Sequence, residues 1–522
     1  MTAADFSTDV LVVGFGGAGA CAALEARSKG AGVLVLDRFE GGGATAISGG
    51  VVYAGATGIQ QQAGVEDDVD AMFAYLKQEV GDCVSEQTLR EFCEQSGPNI
   101  EWLQSHGVPF EASLCPVKTS YPTDDYFLYY SGNEGMAPFR DHAKPAPRGH
   151  RAKGRSLPGR NLFAPLAESA ERAGVQVLRH CRATSLIRDN GRVVGVEALL
   201  LSGSAAAWHG RLERWAVHLV NYVPQLAKAL RRRASRLEKT KGRPVRILAE
   251  RGVVLTTGGF IYNRDMVKVH APAYRRGMPL GTSGCSGDGH RMGAEAGGQL
   301  ARLDRVSAWR FLNPPSAFTE GILLNAEGRR YVNEALYGAA VGEAMVEDND
   351  GKGLLVIDET LRRQARRQVG RGQTQWFQTG PTLLNLWFNC RKAGSIEHLA
   401  KMCKMDLGVL RDSIARYNGD TERGTPDAFA KDKRHVLRPP FYVIDVGIRS
   451  KMWPLPTLTL GGLAVSEETG AVLNSDGQVI PGLYAAGRAA LGVCSQQYVS
   501  GLSIADCVFS GRRAGAATVT VS

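Results

Sequence analysis

The chain has 522 residues, enough for two or three domains around a large core, and its 44% hydrophobic and 22% charged content is that of a soluble globular protein. Its ten cysteines are scattered, with no C-x-x-C and no Cys/His cluster, which argues against structural zinc and iron–sulfur and for reduced thiols in the cytoplasm; no metal site is expected. The first nine residues hold two acids and no Lys or Arg, unlike a secretory leader, and no apolar run reaches the ~18 residues that would span a bilayer.

The first element is a short apolar strand, Leu11, Val12 and Val13, running into Gly14, Gly16 and Gly19 at G-x-G-x-x-G spacing. The first glycine permits a tight turn, the second a close approach to pyrophosphate, and the third close packing of the next helix. That helix is predicted over 18–29, ended by Gly30, and its open N-terminus suits a diphosphate. A second strand over 33–36 ends in Asp37, an acid placed to accept ribose hydroxyls and disfavour a 2′-phosphate. Strand, turn, helix, strand and acid in this order predict a dinucleotide site.

A glycine-rich run follows over 41–50, where backbone can lie close to a ligand. Residues 121–130, YPTDDYFLYY, are unusually aromatic and suit either an apolar pocket or the underside of a surface loop. A strand over 192–201 should continue at 246–255, but residues 202–245 intervene. Within them Trp208, Leu212, Trp215, Leu219, Val223, Leu226 and Leu230 recur at helical spacing, with Pro224 expected to kink or divide the helix. Lys228, Arg231, Arg232, Arg233, Arg236, Lys239, Lys241 and Arg243 follow, so that 208–246 carries nearly all of the net charge of +10. Tryptophans beside basic residues suit an interfacial helix on anionic lipid. Packing on another subunit or on the same chain, and a solvated excursion, are the alternatives. Nucleic acid is not expected, because no reading motif accompanies the charge.

Further on come a strand-and-turn run, 253–259, a Ser286-Gly287-Asp288-Gly289 loop, and a predicted strand pair, 321–325 with 330–333. Helices are predicted at 396–405 and 409–417. Near the end, PGLYAAGR over 481–488 precedes Tyr498, Ser500 and Gly501. In an extended segment residues two apart share a side, so Tyr498 and Ser500 can face one substrate.

The runs 41–50, 253–259, 286–289 and 481–503 resemble, in order and over nearly the whole chain, the fumarate-reductase-like flavoproteins. The resemblance implies FAD. It also implies an α/β fold: a Rossmann-like, three-layer FAD-binding domain, discontinuous in sequence, with an inserted α+β catalytic or cap domain. The FAD domain is expected over 1–300 and 449–522, and the cap over 301–448. The expected FAD contacts are Gly14, Gly16, Gly17, Ala18, Gly19, Asp37, Arg38, Gly43, Ala44, Thr45, Ser48, Gly49, Gly50, Ala183, Thr257, Gly258, Asp288, Gly487, Arg488, Leu502 and Ser503. Some relatives tether FAD through a histidine before the Ser/Gly loop; glycine and alanine stand here, so the FAD is expected to be non-covalent.

Residues 146–150, 321–338 and 492–515 sharpen the match and resemble the 3-ketosteroid Δ4-(5α)-dehydrogenases. That family's two tyrosines and a serine fall on Tyr337, Tyr498 and Ser500, with Tyr331 the alternative to Tyr337 and with His142 and His290 read as structural. Tyr498, Gly501 and Leu502 are the expected substrate contacts. The Δ1 branch has Pro-Gly after the tyrosine, whereas Val499-Ser500 stands here. The resemblance implies removal of a C4 proton and transfer of the C5 hydride to flavin N5, on a 3-ketosteroid or sterol, with an external electron acceptor. A Δ1-dehydrogenase, a fumarate-type enoate reductase and a flavin-bound membrane adaptor are the competing readings. The insertion adds an expected peripheral contact with the inner face of the cell membrane.

Overall fold

The computed structural model describes residues 4–219, 223–370 and 374–520. Val10 to Val13 are apolar at consecutive positions because the strand Phe6–Val13 is covered on both faces, and all four are buried. It pairs in parallel with Val33–Leu36 on one side and with Arg243–Leu255 on the other. Gln176–Leu178 extends the sheet beyond Val33–Leu36, also in parallel. On the opposite side Val479–Ala485, from the far end of the chain, joins Arg243–Leu255 in parallel through Tyr484↔Val254. An antiparallel pair, Cys181–Asp189 and Arg192–Leu200, hangs from Arg243–Leu255.

The carboxyl ends of these parallel strands therefore deliver Gly14, Asp37, Thr256 and Ala486 to one edge of the sheet, where ligands bind in such folds. The first helix, Gly17–Ser28, begins one residue before the predicted start and packs against the closing helix Leu502–Thr520. Gly19 allows the turn to fold back on itself: a Cβ there would sit 1.9 Å from the Gly14 carbonyl oxygen.

A second sheet, Ile322–Leu324, Leu354–Asp358, Phe441–Asp445 and Cys390–Ala393, is antiparallel throughout and has its own buried core. Helices Glu359–Gln368, Ile396–Cys403 and Leu407–Arg423 accompany it. The predicted strand at 330–333 reduces to a single bridge, Leu324↔Arg330. Leu354–Asp358 takes its place as the partner of Ile322–Leu324. Arg330 instead turns to Glu334 (2.8 Å) and Asp427 (2.5 Å), and Glu334 also holds Lys431 (2.9 Å), all four groups buried. A three-stranded sheet of Met278–Pro279, Pro456–Thr459 and Val306–Ala308 links chain from both sides of this unit.

The insertion is divided at Pro224, which starts a second helix where its missing N–H costs nothing. Helices Gly203–Leu219 and Pro224–Lys241 pack together through Leu212, Ala216, Ala227, Leu230 and Ala234, with Leu219 and Leu237 alongside. Two features differ from the sequence reading. The basic run lies within a helix, and the apolar stripe is split between two directions. Leu212, Leu219 and Leu230 face the partner helix, while Trp208, Trp215, Val223 and Leu226 are exposed. Among the described residues no helix is long and apolar enough to cross a membrane.

Candidate active site

The expected cofactor residues converge on the carboxyl edge of the main sheet. Gly17 N–H donates to Thr45 Oγ1 (3.2 Å), which ties the fingerprint to the glycine-rich run. Thr256 Oγ1 donates to the Gly14 carbonyl (2.7 Å), a clamp that sequence reasoning missed. The Asp37 carboxylate accepts N–H groups from Phe15 (2.8 Å), Phe39 (2.7 Å) and Gly41 (3.3 Å), which binds the acid to the turn. Ser48 Oγ accepts from Gly50 N–H, and Gly487 N–H donates to Ser510 Oγ. Ala44 and Cys285 stand around Gly281, with Arg488 beside them; Cys285 also adjoins Gly258, and Gly487 adjoins Ala18. Asp288 opens the helix Asp288–Glu295 and pairs with Arg182 (3.1 Å). Arg38 turns to Glu238 of the insertion (2.6 Å). Ala183 is buried in its strand, and Leu502 and Ser503 open the closing helix.

These residues fit FAD. The first helix has no side-chain cap and no acid in its first turn, and beyond the Gly17 N–H its first-turn N–H groups are left for a diphosphate. Two buried polar atoms in the same ring, Thr257 Oγ1 and Arg488 Nη1, have no protein partner. A buried donor left unpaired is costly, so a bound acceptor is the natural complement.

Next to this ring lies a cluster of hydroxyls in an apolar setting. Tyr337 and Tyr498 are buried in one group with Leu280, Trp309, Phe311, Leu458 and Leu460. Trp309 stacks on Tyr498 (5.1 Å between centroids, 29°), and Phe311 meets Tyr337 edge-on. Val499 packs into the main core, so Tyr498 and Ser500 flank an inward residue. Ser500 Oγ lies 3.1 Å from the Tyr129 hydroxyl and close enough to Tyr337 to draw its phenol down against burial. Ser500 is pinned by its own backbone: its N–H donates to Ser131 O (3.3 Å) and its carbonyl accepts from Ser131 Oγ (3.1 Å).

Gly501 has φ +93°, and a Cβ there would lie 2.7 Å from Tyr53 N, so only glycine fits. Its backbone lies near the Tyr498 hydroxyl and draws that phenol down against burial. Tyr129 was missed as a site residue; the aromatic run at 121–130 was its only signal. Trp309 had none. Tyr331 lies elsewhere, packed beside Gly353 with its hydroxyl unpaired. His290 is buried against Phe260 and Gly461 O. Among the described residues no group of three or more His, Cys, Asp or Glu is arranged to hold a metal.

Burial pushes the phenols of Tyr129, Tyr337 and Tyr498 up. For Tyr498 the positive charge of Arg488 acts in the opposite direction, and burial outweighs it. All three are therefore neutral hydroxyls near pH 7, suited to donate hydrogen bonds and to hand protons along rather than to hold a negative charge.

Behind Tyr337 lies a polar core. Asn133 Oδ1 accepts the Tyr337 N–H (2.6 Å), and Asn133 Nδ2 and the Tyr75 hydroxyl both donate to Glu79 (2.8 and 2.7 Å). Burial raises the Glu79 carboxyl to about 7 despite those two donors.

Comparison with known proteins places this geometry. A family model described as an FAD binding domain matches residues 9–501. The 3-oxo-5-alpha-steroid 4-dehydrogenase of Comamonas testosteroni is 39% identical over 496 residues, covering 92% of each chain. The crystal structure of 3-ketosteroid-Δ4-(5α)-dehydrogenase from Rhodococcus jostii RHA1, in complex with 4-androstene-3,17-dione, is 31% identical. It superposes with a TM-score of 0.83 over 100% of this chain and 98% of that one. The 3-ketosteroid Δ1-dehydrogenase of Sterolibacterium denitrificans, at 18% identity and a TM-score of 0.70 over 99% of this chain and 100% of that one, shares the fold. The chain belongs to the FAD-binding oxidoreductases, in the family of the 3-ketosteroid dehydrogenases. It is an FAD-dependent enzyme.

Glu79 gives a pH test. A raised carboxyl favours the folded state below its unfolded value near 4.5, and that contribution is lost as pH rises through about 7. Between pH 5 and 8, Glu79→Gln should remove a fall of about 2–3 kcal/mol in unfolding free energy. Urea melts at the two pH values measure it; an equal fall in wild type and variant would refute the assignment.

Proposed function

We propose that this enzyme introduces a C4–C5 double bond into a 3-ketosteroid. The observation that carries this reading is the set of hydroxyls of Tyr498, Ser500, Tyr337 and Tyr129, gathered in an otherwise apolar pocket beside the FAD residues. The 39% identity to a steroid 4-dehydrogenase supports the same regiochemistry. A fumarate-type reaction needs cations arranged for a dicarboxylate, whereas the groups packed around Tyr337 and Tyr498 are Leu280, Trp309, Phe311, Leu458 and Leu460. We propose 1–300 with 449–522 as the FAD-binding domain and 301–448 as the catalytic domain.

In this reading the Tyr498 hydroxyl and the Gly501 N–H grip the 3-keto oxygen, with Leu502 against the ring. Two donors aimed at that oxygen stabilise the charge that builds there as C4 loses its proton. The elevated phenol of Tyr498 keeps its proton available for this bond. Ser500 lies beside Tyr129 and close to Tyr337, so the C4 proton passes along a line of hydroxyls in which each oxygen takes one proton as it gives up its own, the last proton going to solvent base. Bound without a covalent link by the turns at Gly14, Thr45 and Gly487, FAD would supply the acceptor for the C5 hydride and would need an external electron acceptor. Burying the ketone among aromatic rings removes competing water.

Purified enzyme with a saturated 5α-3-ketosteroid and an artificial electron acceptor should produce an α,β-unsaturated ketone absorbance and a loss of two mass units. Consumption of only a 4-ene-3-ketone would move the assignment to Δ1 chemistry. Tyr498→Phe should keep its FAD and lose at least ~100-fold in kcat, the cost of one oxyanion donor. Near-normal turnover would remove Tyr498 from the mechanism.

We further infer contact with the inner face of the cell membrane through the outer side of 203–245. Trp208 and Trp215 are half exposed, Arg211 lies over the Trp208 ring (5.4 Å), and Arg232, Arg233, Lys239 and Lys241 are exposed nearby. Such a surface suits anionic headgroups. The full-length enzyme should sediment with phosphatidylglycerol vesicles and lose at least ~10-fold of that affinity in the Trp208→Ser, Trp215→Ser double variant. Equal recovery of both proteins would exclude this surface.

A further inference from the structure

The inner side of the insertion is bonded to three segments expected to hold FAD, among them the turn after Asp37, the acid placed for the adenosine ribose. Glu238 is buried and accepts from Arg38 Nε (2.6 Å), Arg38 Nη2 (2.9 Å), Arg182 Nη1 (3.1 Å) and His209 Nε2 (2.9 Å). Burial alone would raise this carboxyl; the His209 hydrogen bond and the two arginine charges bring it down to about 2. Arg182 also reaches Asp288, so a chain of charges runs from the residue after Asp37, through Glu238, to the start of the helix Asp288–Glu295.

Other contacts follow the same line. His209 stacks flat on Phe39 (5.1 Å between centroids, 8°). Ser283 Oγ donates to Glu213 Oε1 (2.7 Å). Arg231 lies over the Tyr262 ring (4.5 Å), and the Tyr262 hydroxyl donates to Gly281 O (3.2 Å). Thus the hairpin touches the turn after Asp37, the strand before Ala183 and the loop 281–288, all three of them expected cofactor segments. An excursion serving only an outside partner would need none of these buried bonds.

We propose that the helices Gly203–Leu219 and Pro224–Lys241 form the outer wall of the FAD site, latched over the adenosine end by Glu238. The inference rests on assigning the Asp37 and Asp288 segments to the cofactor. Its physical core is that Arg38 and Arg182 converge on one carboxylate. With Glu238 neutral, two like charges face each other half-buried and the segments that carry them separate. The wall then opens and the cofactor is held from fewer sides.

The test compares full-length apo-proteins titrated with FAD by quenching of flavin fluorescence. Glu238→Gln should bind FAD at least ~10-fold more weakly and shed it on gel filtration, while Gln225→Ala, exposed on the same helix, should bind as wild type does. Unmodified protein provides a second reading that no misfolded variant can obscure. Backbone hydrogen exchange across 203–241 should slow when FAD is added to the apo-form. Folded Glu238→Gln with wild-type FAD affinity, or exchange in the hairpin indifferent to FAD, would overturn the latch. Asp37→Ala separates the two layers of the argument. If it loses FAD while Glu238→Gln does not, the cradle stands and the latch falls; if both bind normally, the cradle assignment falls as well.

Discussion

The strand Arg243–Leu255 is the constraint on which the site depends. It lies between Phe6–Val13 and Val479–Ala485, two strands separated by almost the whole chain, and pairs with both in parallel. Parallel pairing sets the ends of all three strands at one edge, so the turns after Val13, Leu255 and Ala485 become neighbours. A register slip of one residue on either side would turn each strand's side chains to the opposite face. The flavin cradle is thus a product of long-range sheet pairing, and the antiparallel sheet of Ile322–Leu324, Leu354–Asp358, Cys390–Ala393 and Phe441–Asp445 belongs to an excursion the chain makes before closing it.

The same pairing brings the clustered hydroxyls into place. Gly487 N–H is fixed to Ser510 on the closing helix, and the turn leading to that helix carries Tyr498, Ser500 and Gly501. Tyr337 arrives from the inserted unit and is held by its backbone to Asn133. Tyr129 arrives from a short strand, Leu128–Tyr129, in a separate small sheet with Gly149–Arg151 and Val51–Tyr53. Three separate structural units therefore contribute one hydroxyl or more, and burial makes each phenol a reluctant anion. Neutral hydroxyls of this kind suit the donation of hydrogen bonds better than the bearing of negative charge. A phenolate standing alone in so apolar a pocket would cost several kcal/mol before any chemistry began.

The parts of the fold legible from sequence were those written in local pattern. Gly14, Gly16 and Gly19 with Asp37 carry their meaning in spacing, and the observed first helix differs by a single residue at each end. Pro224 marked the division of the insertion correctly, because proline's missing N–H acts locally. The strand expected at 330–333 failed for a non-local reason. Arg330 is drawn to Asp427, nearly a hundred residues away, and Leu354–Asp358 competes for the same edge. Tyr129, hinted at only by the aromatic run at 121–130, and Trp309, with no signal, were missed as site residues for the same cause, since neither sits in a motif and only tertiary packing turns them toward Ser500 and Tyr498.

The insertion shows how far composition can carry an argument. Its charge reads as one basic surface, yet the charges divide by direction. Arg231 turns inward onto Tyr262, and Glu238, one of only two acids in the segment, collects Arg38 and Arg182 from outside it. Counting charge along the chain makes Glu238 a minor subtraction from a cationic run; in three dimensions it is the group that decides where the hairpin lies. An acid buried among two arginines and a histidine is worth little as net stabilisation against a well-packed apolar alternative, but removing it alone strands the partners. Such a group fixes geometry more than it adds stability, and the geometry it fixes is the closure of the hairpin over Phe39 and the 281–288 loop.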